Sequence, residues 1–426
     1  MALKSMDTTL KLAATILTVA MLSACSREEP ATPVQAPGTD EVAVSAGKML
    51  ADRMLIVDTH IDVPFRLYRN WQDIGQATAD GQFDYPRAVA GGLNVPFMSI
   101  YIPASVDEEG GAKALADQLI DMVEGMVESH PDKFAIGDST RAVMEQVEAG
   151  KISLALGMEN GAPIEGDLAN LRYFYDRGIR YITLSHSKSN HISDSSYDEN
   201  KRWGGLSDFG KTLIAAMNEI GMMVDVSHIS DEAFDQVIEI SSTPVIASHS
   251  SARHFVPGFE RNMSDDMLVK LARNGGVMQL NIGSTFLSAA SRESSQARSE
   301  LARQYIEANG LEAGSDAAVA ATRRIYAENP FSRAAMNDVL DHVDHVVKIA
   351  GIDHIGIGSD FDGVGDTLPT GFKDVSDYPN FINGLLERGY SEDQIEQILG
   401  GNLMRVWAEV ERYAELKKEL KKELKQ

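Results

Sequence analysis

Cys25 is the only cysteine in the 426-residue chain. An exported protein with one cysteine builds neither an internal disulfide nor a thiolate metal site. Positive charge is outnumbered, 39 Lys and Arg against 63 Asp and Glu, for a formal net charge of −24. That balance argues against nucleic acid or an anionic lipid surface as a partner. No internal repeat of fixed period stands out, and the apolar run near the start, Leu12 to Leu22, is too short to span a bilayer.

That run follows Lys4 and Lys11 and precedes small residues, the layout of a secretory signal. It ends in Leu22-Ser23-Ala24-Cys25, which resembles the bacterial lipobox, where the cysteine is lipidated and becomes the mature N-terminus. Residues 1–24 are therefore expected to be a lipoprotein signal peptide, with Cys25 the lipidation site. By resemblance to Gram-negative sorting, Ser26 rather than Asp after the cysteine favours the outer membrane, facing the periplasm. Residues 25–47, rich in Pro, Ala and charge without periodicity, read as a flexible tether, and 48–426 as one domain. The terminal ELKKELKKELKQ is expected to be a solvated helix held by the stripe Leu416, Leu420 and Leu424, not a binding patch. The membrane is then met only through the N-terminal lipid anchor.

Short apolar runs alternate with helical patterns, the signature of βα units and a parallel sheet. Strands are expected at 55–60, 94–101, 153–159, 181–186, 222–228, 244–249, 276–282 and 354–360. Eight such strands point to an α/β fold, a closed (β/α)8 TIM barrel. Ser230 and Ser264 read as helix N-caps. The long polar segment from Ser284 to about Pro330 reads as an insertion after strand seven.

Six of these strands end in ionisable residues: His60 with Asp62, Glu159, His186, His228, His249 and Asp360. The C-terminal ends of barrel strands form the mouth where the active site of this fold lies. On the first strand Asp58, His60 and Asp62 share one face, because alternate residues point the same way. Two other His-x-Asp triplets look structural: His130-Pro-Asp132 as an exposed turn, and His342-Val-Asp344 within a helical register. A His and carboxylate set without thiolates suits zinc or a related first-row ion. The inventory is too large for one ion, whereas two ions sharing a carboxylate would use it. Such a pair activates a bridging water and polarises a carbonyl, so hydrolysis of an amide or ester follows as the reaction class.

The chain resembles the membrane dipeptidase family, renal dipeptidase-like zinc peptidases of the metal-dependent hydrolase barrel type, from about Arg53 to Val410. The resemblance is carried by VDTHIDVPF, GGLNVPFMSIY, LGMENG, YITLSHSKSN, VDVSHIS, PVIASHSSAR, FERNMSDD and IGIGSDFDG, in that order. It implies two zinc ions per chain, one held by His60, Asp62 and Glu159, the other by Glu159 as bridge with His228 and His249. It implies that His186 touches the substrate and steadies the tetrahedral intermediate. Arg261 would bind the free carboxylate of a small dipeptide, and Asp360 would act as general base and then acid. A homodimer is compatible with it.

Asp58 is expected to orient a ligand, and Asp362 to be structural; Asp225 reads either as an orienting group or as part of an ion pair in the barrel. His191 and His254 read as exposed loop histidines and His354 as structural, while Tyr197 and Trp203 could cover the pocket. Where the family often carries an aromatic pair, this chain has Ile282 and Gly283, which leaves one pocket wall more open. Two other readings keep part of this picture: a metal-dependent hydrolase of another amide, such as a β-lactam or N-acyl amino acid, and a non-catalytic periplasmic binding lipoprotein.

Overall fold

Alternating apolar runs and amphipathic stretches resolve, in the computed structural model, into nine parallel strands separated by helices; the structure describes residues 45–424. The strands are β1 (Ile56–Ile61), β2 (Leu93–Tyr101), β3 (Phe134–Ile136), β4 (Ile152–Glu159), β5 (Ile179–Thr183), β6 (Met223–Asp225), β7 (Ile246–Ser250), β8 (Val277–Leu280) and β9 (Ile355–Ile357). Eight of them pair in the order β1-β2-β4-β5-β6-β7-β8-β9, and β3 lies outside the ring, paired to β4. The ring is nearly closed where β1 meets the segment after β9: Asp62 N–H donates to Phe361 O at 2.8 Å and Asp360 N–H to His60 O at 3.0 Å. This is the expected (β/α)8 barrel. β3 escapes the sequence reading because it has three residues and only Phe134 is buried.

The barrel interior is filled by inward side chains from successive strands, among them Val57, Val95, Phe97, Ala155, Tyr181, Met223, Ile246 and Val277. Leu403, Val406, Trp407 and Val410, on the helix Asn402–Glu423, belong to the same cluster. One end of the barrel is thus closed by apolar packing, which leaves the C-terminal strand ends as the open mouth. The helices outside the ring start where the sequence places their caps. Ser230 Oγ accepts Ala233 N–H at 3.2 Å, and Ser264 Oγ accepts Met267 N–H at 3.3 Å. The segment after β8 folds into helices Ser284–Leu287, Ala289–Ala308 and Asp316–Glu328 before the helix Met336–Ala350 resumes the barrel pattern.

Two expectations need correction. Four strands stop early, so His186, His228, Ile282 and Asp360 follow β5, β6, β8 and β9 and are not their last residues. The terminal helix exists, but its leucine stripe does not hold it: Leu416, Leu420 and Leu424 are 51%, 54% and 87% exposed. The apolar contacts that secure this helix come from its first turns. No helix among the described residues is long and apolar enough to cross a membrane. The expected signal peptide, Cys25 and the expected tether up to Val44 lie outside the described residues.

Candidate metal centre

Glu159, the last residue of β4, stands at the middle of the mouth and is buried. Its Oε2 lies 3.5 Å from His60 Nε2. Its Oε1 lies 3.1 Å from His228 Nε2, 3.2 Å from His249 Nε2 and 3.5 Å from His186 Nε2. Asp62 Oδ2 is 3.5 Å from His60 Nε2, and Asp360 joins His60 and Asp62 as a third group of potential ligands. Side chains up to 300 residues apart in sequence thus converge around one carboxylate, delivered by the ends of six strands.

The turns that deliver them are strained. His228 and Asp360 have φ of 70° and 64°, the left-handed region that non-glycine residues seldom enter. Each needs that turn because its strand ends three residues earlier and the chain must swing the side chain back over the barrel. At Gly363 a Cβ would lie 2.1 Å from both Asp360 Oδ1 and Asp62 Oδ2, so the loop passes too close to the carboxylates for any side chain.

Hydrogen bonds fix which imidazole nitrogen faces inward. Tyr181 O–H donates to Thr59 O at 2.9 Å, and its oxygen lies 2.9 Å from His60 Nδ1. That oxygen therefore accepts Nδ1–H, which leaves Nε2 to the centre. Ser248 Oγ donates to Asp225 Oδ2 at 2.6 Å and lies 2.8 Å from His249 Nδ1, which imposes the same tautomer on His249. Asp225 takes further bonds from Ser248 N–H, Ser227 N–H and Thr183 Oγ1. Its place in this chain of bonds makes it an orienting group; among the described residues no cation pairs with it. Asp58 accepts the backbone N–H groups of His60 at 3.1 Å and Ser359 at 2.9 Å, with Tyr378 O–H on its other oxygen. It holds the seam between β1 and the β9 loop rather than an imidazole ring.

The protonation pattern suits cation binding. Burial lowers the pKa values of His228 and His249, and nearby positive groups (Arg261 and His186 for His228, His60 and Arg261 for His249) push them lower, so both are neutral and able to ligate. Burial would raise Glu159, but the charges of His60 and His186 together with hydrogen bonds to His228 and His249 outweigh it and hold the carboxylate well below its usual range. Burial would lower His60, but Tyr181, Glu159 and Asp62 outweigh it and raise it well above the ordinary value. A cation between His60, Asp62 and Glu159 would take over that proton's role. The donor set fits: His60 Nε2 and Asp62 Oδ1 are buried without a hydrogen-bond partner.

The remaining predicted groups surround these. Asp360 is pushed well above the carboxylate range by burial and by the charge of Asp62, while its Oδ2 accepts from Asn281 Nδ2 at 2.8 Å. His186 is lowered by burial, and its ring and that of Tyr101 meet edge to face with centroids 4.8 Å apart. Both line a cavity of about 1010 Å³, together with Tyr197, Phe65 and Phe286. Phe286, from the insertion, supplies the aromatic wall that Ile282 and Gly283 do not. Arg261 is 3% exposed and does not line that cavity; its guanidinium donates to Ser250 Oγ at 2.7 Å and His249 O at 2.6 Å. Trp203 also stays off the cavity, its indole N–H donating to Asn190 O. Asp362 accepts from Arg66 Nε and Gln82 N–H, a structural role.

The other histidines fall into place. His354 Nδ1 contacts Gly276 O at 2.7 Å, and His342 is fully buried. His191 is half-buried and accepts Gly166 N–H, and His130 pairs with Asp73 rather than with Asp132. Tyr181, Ser248, Asn281, Tyr378 and Gly363 were not singled out from the sequence. For Tyr181 a signal existed, a phenol on an inward barrel position that must find a partner.

The profile of the membrane dipeptidases (peptidase family M19) matches residues 45–421. The dipeptidase aclJ of Aspergillus oryzae is 33% identical over 341 residues, 78% of this chain and 71% of its own length. An uncharacterized dipeptidase of Schizosaccharomyces pombe is 32% identical over 400 residues, 89% of this chain and 86% of its own length. The crystal structure of the probable dipeptidase PvdM from Pseudomonas aeruginosa superposes with a TM-score of 0.73 at 28% identity, covering 86% of this chain and 98% of that one.

Proposed function

Since this chain belongs to the membrane dipeptidase family of metal-dependent hydrolases acting on dipeptides, we propose that its centre holds two zinc ions bridged by Glu159. His60 and Asp62 complete the ligands of one ion, and His228 and His249 those of the other. The observation that carries this reading is the division of Glu159, with Oε2 toward His60 and Oε1 toward His228 and His249. When bound, such a pair supplies an activated water and a Lewis acid for the scissile carbonyl.

The chain's own groups do the rest. Burial and the charge of Asp62 make the Asp360 carboxylate more basic than usual, which suits it to take a proton from the attacking water and pass it to the leaving amine. Asn281 fixes the orientation of that carboxyl. His186, neutral and facing the cavity, hydrogen-bonds the substrate and steadies the tetrahedral intermediate. Arg261 serves the free carboxylate of the dipeptide by exchanging its bond to Ser250 for one to the substrate. We further propose export and lipid anchoring at Cys25, with the enzyme at the outer membrane facing the periplasm, on the strength of the Leu22–Cys25 motif and Ser26.

A dipeptide library screened with purified protein, with bound metal measured in parallel, tests the reading. Turnover is expected to track zinc up to two per chain; full activity after complete chelation would overturn it. Arg261→Ala separates substrate classes, because a dipeptide should lose affinity whereas an amide without a free carboxylate should not.

A further inference from the structure

We propose that His254, Asp265 and His345 form a separate surface site for one first-row divalent cation such as zinc. One potential ligand atom from each residue lies within 4.8 Å of the other two. The three come from three elements: the turn Arg253–Phe255, the first turn of the helix Asp265–Asn274, and the helix Met336–Ala350. None of them lines the cavity of the main centre.

His345 Nε2 lies 2.7 Å from Asp265 Oδ1, and the His254 ring stacks on the His345 ring with centroids 4.3 Å apart and planes 18° apart. A proton now bridges His345 and Asp265. Ligands about 2.0–2.1 Å from a tetrahedral ion stand roughly 3.3 Å apart, so replacing that proton by zinc opens the pair by about 0.6 Å. His254 is exposed, and turning its ring toward the ion costs its stacking on His345. The His345 side chain is 10% exposed and that of Asp265 49%, an arrangement with a fixed inner ligand and a solvent side where water completes the coordination. Two imidazoles and a carboxylate without thiolates form the same class of donor set as the main centre.

The site would fasten the arm that runs from the ligand His249 to Arg261. Ala252 N–H already donates to His342 Nδ1 at 3.0 Å, and His342 lies one turn before His345 on the same helix. The Phe255 ring packs at 4.4 Å from His342 and 5.6 Å from His345. A cation on His254 and His345 ties the next residues of the arm to that helix, and the arm holds Arg261 against His249 O. The cation therefore acts on the stiffness of the arm without touching the substrate.

Full-length protein stripped by a chelator and dialysed against micromolar free zinc tests the proposal, with zinc per chain counted for the unaltered protein, His254→Ala and Asp265→Asn. Each variant is expected to bind one equivalent fewer and to lose part of the zinc-dependent rise in melting temperature. His254 is exposed, so its removal leaves folding intact. The difference between proteins reads the site; a failure of the two-zinc reading shifts all three totals together. Equal zinc counts in all three proteins, or an extra equivalent that binds only at millimolar zinc, would overturn it.

Discussion

Tyr181 stands behind His60, its phenolic oxygen 2.9 Å from Nδ1 and 2.9 Å from the Thr59 carbonyl oxygen. The pairing determines which nitrogen of the imidazole can ligate. Gly157 makes room for it, since a Cβ there would lie 1.9 Å from the Tyr181 ring carbon Cζ. Tyr181→Phe keeps the ring and removes only the hydroxyl. Zinc affinity at the His60 position is expected to fall about 10–100-fold, with activity recovering at excess zinc. Zinc titration of the variant followed by activity checks this; unchanged affinity would mean that the hydroxyl does not set the tautomer.

Asp360→Asn leaves the shape of the site in place and takes away the proton carrier. The expected fall in kcat is about 100-fold or more, with bound zinc unchanged. Steady-state kinetics and metal analysis on the same preparation separate the two effects, and a fall in zinc would reassign Asp360 to the ligand set.

Gly363→Ala places a methyl group 2.1 Å from oxygens of both Asp62 and Asp360. The carboxylates or the loop must shift, at a cost of about 1–3 kcal/mol typical of overpacking. Activity is expected to fall more steeply than thermal stability, measured as kcat/KM against melting temperature.

His342 ties stability to pH. Its Nδ1 accepts Ala252 N–H and its Nε2 donates to Leu287 O, both at 3.0 Å, which requires the neutral ring. Burial lowers its pKa from the ordinary 6.5 to about 4. Below pH 6.5 the unfolded chain binds the proton more readily, so this contribution to stability is full above 6.5, falls as pH drops, and levels off below about 4. By pH 5 the loss from this residue is about 2 kcal/mol. Melting temperatures between pH 7 and 5 should fall less in His342→Gln than in the unaltered protein, and parallel curves would contradict the assignment.

Much of the barrel and most of the centre were legible because strand-end chemistry is local. An apolar run that stops in His or Glu is visible in a few residues, and a single-face pattern such as Asp58, His60 and Asp62 follows from the pleat. The left-handed turns at His228 and Asp360 were not legible, because nothing in the types of those two residues demands a positive φ. The supporting bonds were hidden for another reason. Tyr181 to His60, Ser248 to Asp225 and Tyr378 to Asp58 span 121, 23 and 320 residues, so they exist only once the ring closes. At the terminal helix, the spacing of Leu416, Leu420 and Leu424 is that of a buried stripe, yet the helix runs past the body that would cover it.

The central claim is that one carboxylate, Glu159, joins two metal ions. Counting zinc per chain with Glu159 intact and in Glu159→Gln, with dipeptide turnover measured on the same samples, tests it most directly. To keep the surface cluster out of the count, both proteins carry His254→Ala. The account predicts two zinc ions and turnover in the first, and at most one zinc with turnover lost in the second. Two tightly held zinc ions and full turnover in Glu159→Gln would contradict it.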